Sequence, residues 1–312
     1  MITLRMGTRR SQLALWQTQH VRDQLQVAHP DLSIELVRMT TTGDRVLDKP
    51  LPEIGGKGLF TQELEDALRA GEIHLAVHSL KDLPTEMLPE FALGAILRRA
   101  SPFDALVSRA GHTLATLPPG ATIGTSSLRR RAQLLAYRAD LKTEMLRGNV
   151  DTRLRKAHDP AGPYDAIILA VAGLERLEHH PAITEILEAE VMLPAPGQGA
   201  IAVQCRADDA PTRALLAELD DYATRVTVTA ERAFLQQLDA GCRLPVSAWA
   251  TLDGDTLHLV GRVSGLDGTR AITVRGDGAA GEAFDLGARL ADDALAQGAD
   301  ALLAEIRGGL PA

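Results

Sequence analysis

The chain has 312 residues, a formal net charge of −8 and a hydrophobic fraction of 45%. This length predicts two or three domains, and the composition is that of a globular enzyme and excludes a disordered chain. No apolar run approaches the ~18–20 residues that a membrane span needs, and the first residues lack the basic and apolar regions of a secretory signal. With only two cysteines, Cys205 and Cys242, the sequence predicts a cytoplasmic protein without a disulfide framework.

Strand-like and helix-like segments alternate from the N-terminus to about residue 195. The first block is expected to contain a strand at 2–6, a helix at 11–25, a strand at 34–37, a helix at 60–69 and a strand at 73–77. The second block repeats the pattern with a strand at 122–124, a helix from 128, a strand at 144–146, a helix from 150 and a strand at 166–171. Such alternation predicts βαβ units with mainly parallel sheets, in two α/β domains.

The pattern changes after Cys242. Three short alternating segments, at 246–250, 257–263 and 271–275, are separated by Asp-Gly turns, and a helix is expected at about 282–296. This arrangement predicts a small C-terminal α+β domain with an antiparallel sheet. The Pro- and Gly-rich segment 194–199 is the clearest linker between blocks.

Searches for common motifs find no dinucleotide-binding glycine motif, no P-loop and no Gly-x-Ser-x-Gly nucleophile elbow. His74 and His78 are four residues apart, but they lie in or beside an expected strand and have no Cys or carboxylate at ligand spacing. A core or structural role is favoured for both histidines, and no metal is expected.

Arginines recur where strands are expected to end. They are Arg9, Arg129, Arg130, Arg147 and Arg176, with Arg153 on a following helix. In open α/β sheets ligands bind beyond the carboxyl ends of the strands, and the guanidinium fork suits carboxylate or phosphate. Between residues 122 and 156, nine Lys or Arg stand against three acids. The pattern predicts a site for an anion with several negative groups, although a solvated helix face would also explain a run of charge.

Nucleic acid is the obvious competing ligand. Grooves that bind single strands interleave basic residues with stacking aromatic residues. Aromatic residues make up only 3% of this chain, and Tyr137 is the one aromatic residue in the basic stretch. No helix-turn-helix or zinc-finger pattern is evident either. The sequence therefore favours a small ligand, such as a polycarboxylate, over nucleic acid.

Asp82 and Cys242 each allow two interpretations. Asp82 follows an expected strand, so it either caps a turn or faces the arginines as a carboxylate that stabilises a developing cation or moves a proton. Cys242 lies between Gly241 and Arg243, and a neighbouring cation favours the nucleophilic thiolate. An unreactive loop cysteine is the alternative. Cys205 lies in an apolar segment and is expected to be a small buried residue.

Six segments, in this order, carry a further pattern between residue 2 and about residue 250. They are 7–14 (GTRRSQLA), 55–60 (GGKGLF), 76–84 (AVHSLKDLP), 124–130 (GTSSLRR), 146–150 (LRGNV) and 193–199 (LPAPGQG). On these segments the chain resembles the porphobilinogen deaminase (hydroxymethylbilane synthase) family, whose enzymes assemble the linear tetrapyrrole of haem biosynthesis. A shared fold alone would not produce so many matching segments in the same order.

The resemblance implies a covalent dipyrromethane cofactor, one per chain, held by a thioether to Cys242. Four porphobilinogen units would be added stepwise with loss of ammonia, and hydrolysis would release hydroxymethylbilane. Asp82 matches the catalytic aspartate, which stabilises an azafulvene-like cation. The implied cofactor-binding residues are Ser11, Lys81, Asp82, Thr125, Ser126, Ser127, Arg129, Arg130, Arg147 and Gly148. The implied substrate-binding residues are Arg9, Arg147, Arg153, Arg176 and Gln198. Lys57 and Phe60 belong to a loop expected to act as a lid.

The resemblance also implies that the first two domains are similar to periplasmic binding proteins, and that the protein is a monomer. The expected division is 1–100 with 196–219 for domain 1, 101–195 for domain 2 and 220–312 for domain 3. One departure is the segment 100–104, which is less charged than the resemblance predicts. This segment lies at the boundary between the first two expected domains.

Two alternatives stay open. A two-domain anion-binding module without catalysis would also need strand-end arginines, but it would leave Cys242 and the third domain unexplained. A family member that has lost its activity is the other alternative, although Asp82, Cys242 and the arginines are all present.

Overall fold

The computed structural model describes residues 3–45, 61–240 and 244–309. Lys57, Phe60 and Cys242 of the expected site lie outside these residues. The described chain forms three sheets, two with five strands and one with three.

The strands, in chain order, are β1 Leu4–Arg9, β2 Ile34–Met39, β3 Leu75–Ser79, β4 Phe91–Ile96, β5 Asp104–Ser108, β6 Thr122–Gly124, β7 Lys142–Glu144, β8 Ala166–Ala170, β9 Glu185–Leu187, β10 Ile201–Arg206, β11 Val246–Asp253, β12 Thr256–Ser264 and β13 Ala271–Ala279. The helices are α1 Gln12–Ala28, α2 Thr42–Arg45, α3 Gln62–Arg69, α4 Leu128–Tyr137, α5 Val150–His158, α6 Val171–Arg176, α7 Ala210–Ala217, α8 Tyr222–Gln237, α9 Ala283–Ala296 and α10 Ala299–Gly309.

The first sheet has the order β2-β1-β3-β10-β4 and the second has the order β7-β6-β8-β5-β9. In the first, β1 is parallel to β2 and β3, whereas β10 is antiparallel to both of its neighbours. In the second, β6 is parallel to β7 and β8, whereas β5 is antiparallel to both of its neighbours. Each sheet therefore has one reversed strand among strands that otherwise run one way, and the prediction of mainly parallel sheets is confirmed.

Both reversed strands come directly after the chain crosses from one sheet to the other. The crossing after β4 leads into β5, and the return crossing leads into β10. The two crossings lie against each other, since the amide of Ala100 donates to the carbonyl of Gly199 at 3.2 Å. Gly199 has a φ of +89°, and a Cβ there would lie 2.5 Å from the carbonyl oxygen of Ala100. Only glycine suits this position. The expected linker 194–199 is thus largely buried rather than an exposed tether.

Local sequence explains how α1 covers the first sheet. Ser11 caps the helix by accepting a hydrogen bond from the amide of Ala14, as expected for serine at this position. Ala14, Val21 and Leu25 are buried on one face, and the helix packs against β1 and β3. Burying such apolar side chains contributes about 1.5–3 kcal/mol for each large one. The helix therefore fixes the loop that joins it to β1.

The C-terminal sheet has the order β11-β12-β13 and is antiparallel throughout, as predicted. The first hairpin turns at Gly254, whose φ is +58°. Helices α8 and α9 cover the sheet, and the ring of Phe234 lies so close to β12 that a Cβ on Gly261 would be 2.4 Å from it. This core is separate from the cores of the other two sheets.

Several predicted elements need correction. The strand expected at 73–77 is β3, which begins only at Leu75, and the strand expected at 144–146 is β7, which ends at Glu144. Leu146 is buried, but outside the strand, so its apolar character misled the prediction. Strands β4, β5, β9 and β10 and helices α2, α6, α7 and α10 were not predicted from the pattern.

Candidate functional site

The carboxyl ends of β1 and β3 bring Arg9, Ser11 and Asp82 to one edge of the first sheet. All three line one cavity, together with His78 and Thr61. Because β1 and β3 are parallel neighbours, the segments that follow them emerge side by side. The structure thus brings together residues that the sequence separates by about seventy positions.

Lys81 and Asp82 lie in a short turn whose apolar residues hold it in place. Leu80 and Leu83 are almost completely buried, whereas Lys81 is half-buried and Asp82 is exposed. The Nζ of Lys81 donates to the Oε1 of Gln198 at 3.1 Å. Burial lowers the pKa of Lys81 to about 8, opposed by Asp82 and favoured further by Arg130. Asp82 is therefore a solvent-accessible carboxylate beside a lysine that is easily deprotonated.

The loop after β6 contributes hydroxyl groups at the corresponding edge of the second sheet. Ser127 caps α4 by accepting from the amide of Arg130, and the hydroxyl of Ser126 donates to the carbonyl of Leu146 at 2.6 Å. Thr125 is buried, and its hydroxyl oxygen accepts from the amide of Ser127 at 3.2 Å. These bonds hold the start of α4 in a fixed position, which in turn places the two arginines that follow.

Arg129 and Arg130 are nearly inaccessible, at 5% and 6% exposure. Arg129 donates from Nη2 to the Oδ2 of Asp104 at 2.7 Å and from Nη1 to the carbonyl of Leu193 at 2.7 Å. Arg130 donates from Nη2 to the Oδ1 of Asp104 at 2.6 Å and from Nη1 to the carbonyl of Ile168 at 3.0 Å. The sequence predicted both arginines as ligand-binding residues, and the structure adds a buried carboxylate between them.

Arg147, Gly148 and Arg153 lie in and after the loop that follows β7. Gly148 has a φ of +120°, a conformation that favours glycine, and its carbonyl accepts from the Nε of Arg153 at 2.7 Å. Burial, followed by the charges of Arg130 and Arg147, lowers the pKa of Arg153 to about 10, and Asp82 opposes this shift. Arg153, on the helix α5 that packs against the second sheet, therefore lies within electrostatic range of Asp82, in the turn that follows β3 of the first sheet.

Arg176 lies at the end of α6, where α6 packs against α1. Its Nη2 donates to the carbonyl of Gly199 at 2.6 Å, and its guanidinium carbon lies 5.8 Å from the ring centroid of Trp16. Burial lowers the pKa of Arg176 to about 10. This arginine therefore sits between the two larger sheets, beside the return crossing.

Gln198 links the two edges and is only 1% exposed. Its Oε1 accepts from Lys81, while its Nε2 donates to the carbonyl of Pro102 at 2.6 Å and to the Oδ1 of Asp104 at 3.0 Å. The sequence predicted Gln198 as a substrate-binding residue. In the structure its amide atoms are already engaged by protein groups.

Sequence reasoning missed Asp104 and gave His78 no part in the cavity. Asp104 was noted only as the end of an unusual segment, and the signal was a single acid opening an apolar strand. His78 is 6% exposed, as expected for a core histidine, yet it lines the cavity with Asp82. Burial lowers the pKa of His78 to about 4, so its imidazole is neutral at physiological pH.

No helix in the ranges 3–45, 61–240 and 244–309 is both long and apolar enough to cross a membrane. In the same ranges no three His, Cys, Asp or Glu side chains are placed so as to hold a metal ion. Cys205 is completely buried, as expected, and burial raises the pKa of its thiol to about 11.

Comparison with known proteins assigns the family. The model "Porphobilinogen deaminase, dipyromethane cofactor binding domain" matches residues 4–214, and "Porphobilinogen deaminase, C-terminal domain" matches residues 225–296. The porphobilinogen deaminase of Roseiflexus sp. (strain RS-1) is 55% identical over 97% of this chain and 99% of its own length. That of Xanthomonas campestris pv. campestris (strain B100) is 52% identical over 98% of this chain and 100% of its own length. Among solved structures, CbnR, a LysR family transcriptional regulator, superposes loosely, with a TM-score of 0.43 at 14% identity over 69% of this chain and 68% of that one. With two family models spanning most of its length and relatives more than half identical to it, this chain belongs to the porphobilinogen deaminase family.

Proposed function

We propose that this chain adds four porphobilinogen units, head to tail, to a covalent dipyrromethane primer held by Cys242. Ammonia leaves at each addition, and hydrolysis releases hydroxymethylbilane at the end. Membership of the family makes the chain a transferase of tetrapyrrole biosynthesis with a dipyrromethane cofactor. The observation that carries the residue assignments is the placement of Asp82 opposite a cluster of buried cations on the second sheet.

The residues present fit such a cofactor. A dipyrromethane built from two porphobilinogen molecules carries four carboxylates, and it supplies the pyrrole carbon to which the first new unit is joined. Arg129 and Arg130 share a single buried carboxylate, so together they keep a net positive charge. Arginine is suited to this ligand because its planar fork binds a carboxylate through two parallel N–H groups. A polycarboxylate would offset the mutual repulsion of the clustered arginines.

Asp82 is the proposed catalytic residue. It is exposed and lines the cavity in which we place the substrate carbon that ammonia leaves. A fixed carboxylate stabilises the positive charge that develops on the substrate methylene carbon, and it can accept a hydrogen bond from a pyrrole N–H. His78, neutral in the same cavity, adds no competing positive charge.

The remaining polar residues hold carboxylate side chains. We assign to the cofactor Ser11, Lys81, Asp82, Thr125, Ser126, Ser127, Arg129, Arg130, Arg147 and Gly148. We assign to the substrate Arg9, Arg147, Arg153, Arg176 and Gln198. In the last group, Arg176 and Gln198 are buried and also donate to the carbonyls of Gly199 and Pro102. Lys57 and Phe60 remain assigned to a lid, on the resemblance alone.

The domain organisation belongs to the same proposal. We infer a division into 1–100 with 196–219, 101–195 and 220–312, with two domains of the periplasmic-binding-protein type and a C-terminal α+β domain. It is supported by the separate hydrophobic cores and by β10, which returns to the first sheet. A cytoplasmic monomer that binds no nucleic acid also remains part of the proposal.

Intact-protein mass spectrometry tests the tether directly. After expression with porphobilinogen available, the wild-type chain should show a mass excess equal to one dipyrromethane, and Cys242→Ser should show none. Cys205→Ser is the matched control, because it removes the buried thiol and should leave the mass excess in place. A wild-type chain at its plain sequence mass that still binds porphobilinogen, without releasing ammonia, would favour the binding-module alternative.

A further inference from the structure

Asp104 is a completely buried carboxylate at the first position of β5. Three side chains donate to it. Arg129 reaches Oδ2 at 2.7 Å, and Arg130 reaches Oδ1 from Nη2 at 2.6 Å and from Nε at 3.1 Å. Gln198 reaches Oδ1 from Nε2 at 3.0 Å. This one carboxylate therefore sets the orientation of both guanidiniums.

The charges in this cluster do not cancel, because two guanidiniums share one carboxylate. Burial by itself would raise the pKa of Asp104, but the charges and hydrogen bonds of Arg129 and Arg130 hold it well below its usual range. The group is thus ionised at neutral pH. The cluster keeps a net positive charge and still attracts an anion. The carboxylate between the two guanidiniums offsets their mutual repulsion.

The arginines also retain donors for a ligand. A guanidinium has five N–H groups in a fixed plane. Among the described residues, the bonds of Arg130 to Asp104 and Ile168 engage three of these groups, and those of Arg129 to Asp104 and Leu193 engage two. Since the plane of each guanidinium is fixed by these bonds, the directions of its remaining N–H groups are fixed as well.

Gln198 extends the network to the turn that contains Lys81 and Asp82. Its amide bridges the Oδ1 of Asp104 and the Nζ of Lys81, the residue next to Asp82. The amide orientation matches both partners, since its oxygen faces the ammonium and its nitrogen faces the carboxylate. The arginines of the second sheet are thereby connected to the turn of the first sheet through one buried side chain.

We propose that Asp104 is a positioning residue for carboxylate recognition, which orients Arg129 and Arg130 so that their remaining N–H groups meet the carboxylates of cofactor and substrate. This inference rests on the proposed ligand-binding role of the two arginines. Replacing Asp104 by Asn removes the charge and turns an amide N–H₂ toward a guanidinium. The two cations then repel each other and turn away from the orientation that the ligand needs.

The test is a double-substitution cycle on the full-length chain, with kcat, KM for porphobilinogen and cofactor occupancy by intact mass as readouts. Asp104→Asn, Arg130→Gln and the double variant are compared with wild type. We expect Asp104→Asn to raise KM at least tenfold in the folded, cofactor-loaded fraction. We expect the double variant to lose less kcat/KM than the product of the two single losses, because residues that act as one unit are not additive, and the part that remains comes from Arg129. Effects that multiply would overturn the proposal.

Two further variants keep the test decisive. Asp104→Glu retains the charge but displaces the carboxylate by one methylene, so it should fold and still raise KM. A wild-type KM in this variant, or loss of folded protein in both Asp104 variants, would identify a carboxylate that only holds the fold. Asp140→Asn is the matched control, since Asp140 pairs with Arg138 at the surface of the same region and should leave KM unchanged. Lack of turnover in wild type would instead contradict the proposed function, and an unimpaired Arg130→Gln would contradict the role of that arginine.

Discussion

Glu231 offers the sharpest test of how the three sheets are held together. This residue of α8 is completely buried and accepts from both terminal nitrogens of Arg99, at 2.6 and 3.0 Å. It also accepts from the amide of Gly197 at 2.7 Å and from the amide of Ala250 at 2.9 Å. One carboxylate thus joins both crossings between the larger sheets to the C-terminal sheet.

Glu231→Gln keeps the shape of the side chain but leaves the guanidinium of Arg99, only 11% exposed, without its counter-charge. Breaking a buried pair by removing one partner costs about 3–5 kcal/mol. For domains of about 150–250 residues each kcal/mol shifts Tm by about 2–4 °C, and the lower end suits this longer chain. We therefore expect Tm to fall by roughly 6–10 °C in calorimetry.

The matched control is Glu305→Gln. Glu305 pairs with Arg270 at 2.6 Å, but both side chains are more than half exposed, and such pairs contribute about 0–1 kcal/mol. Its Tm should stay within about 2 °C of wild type. If Glu231→Gln melts no lower than Glu305→Gln, the buried carboxylate does not hold the crossings, and the reasoning from burial is wrong.

Two predictions concern the site itself. Asp82→Asn should lower kcat by about 10²-fold or more, because it removes the charge that stabilises the developing cation. Tm should stay unchanged, since the side chain is exposed. Near-normal turnover in a steady-state assay would contradict this role of Asp82. For wild type, kcat/KM should fall as pH rises through about 8, where Lys81 loses its proton and with it the positive charge that we assign to binding the cofactor carboxylates. In Lys81→Arg, whose charge persists to high pH, the fall should move to higher pH, and an identical pH profile in the two proteins would contradict the assignment.

The helix starts could be predicted because their causes are local. Ser11 and Ser127 each precede a helix and accept from an amide three residues on, and this signal lies within four residues of sequence. Helix α10 could have been predicted equally well, since Leu302, Leu303 and Ile306 have helical spacing and are buried. It was missed because the prediction ended the chain with the helix at 282–296.

Strand partners could not be predicted in the same way. β10 lies between β3 and β4 although more than a hundred residues separate it from either strand. Pairing at that distance depends on which apolar faces meet in the folded chain, and nothing in 201–206 specifies the neighbour. The resemblance to a family, rather than the local pattern, placed the segment 196–219 with the first block.

The basic stretch 122–156 shows what a count of charged residues can predict about a binding site. Its residues differ in burial, as the two interpretations of the stretch would each require of different residues. Arg131, Arg155 and Lys156 are exposed on helices, as a solvated face requires, whereas Arg129 and Arg130 are buried beside Asp104. The count of nine bases against three acids overstated the charge offered to a ligand, because the acid that matters most, Asp104, lies outside the stretch. A linear sum finds the positive region but cannot tell which cations are shared with a distant carboxylate, and that sharing decides how the arginines are oriented.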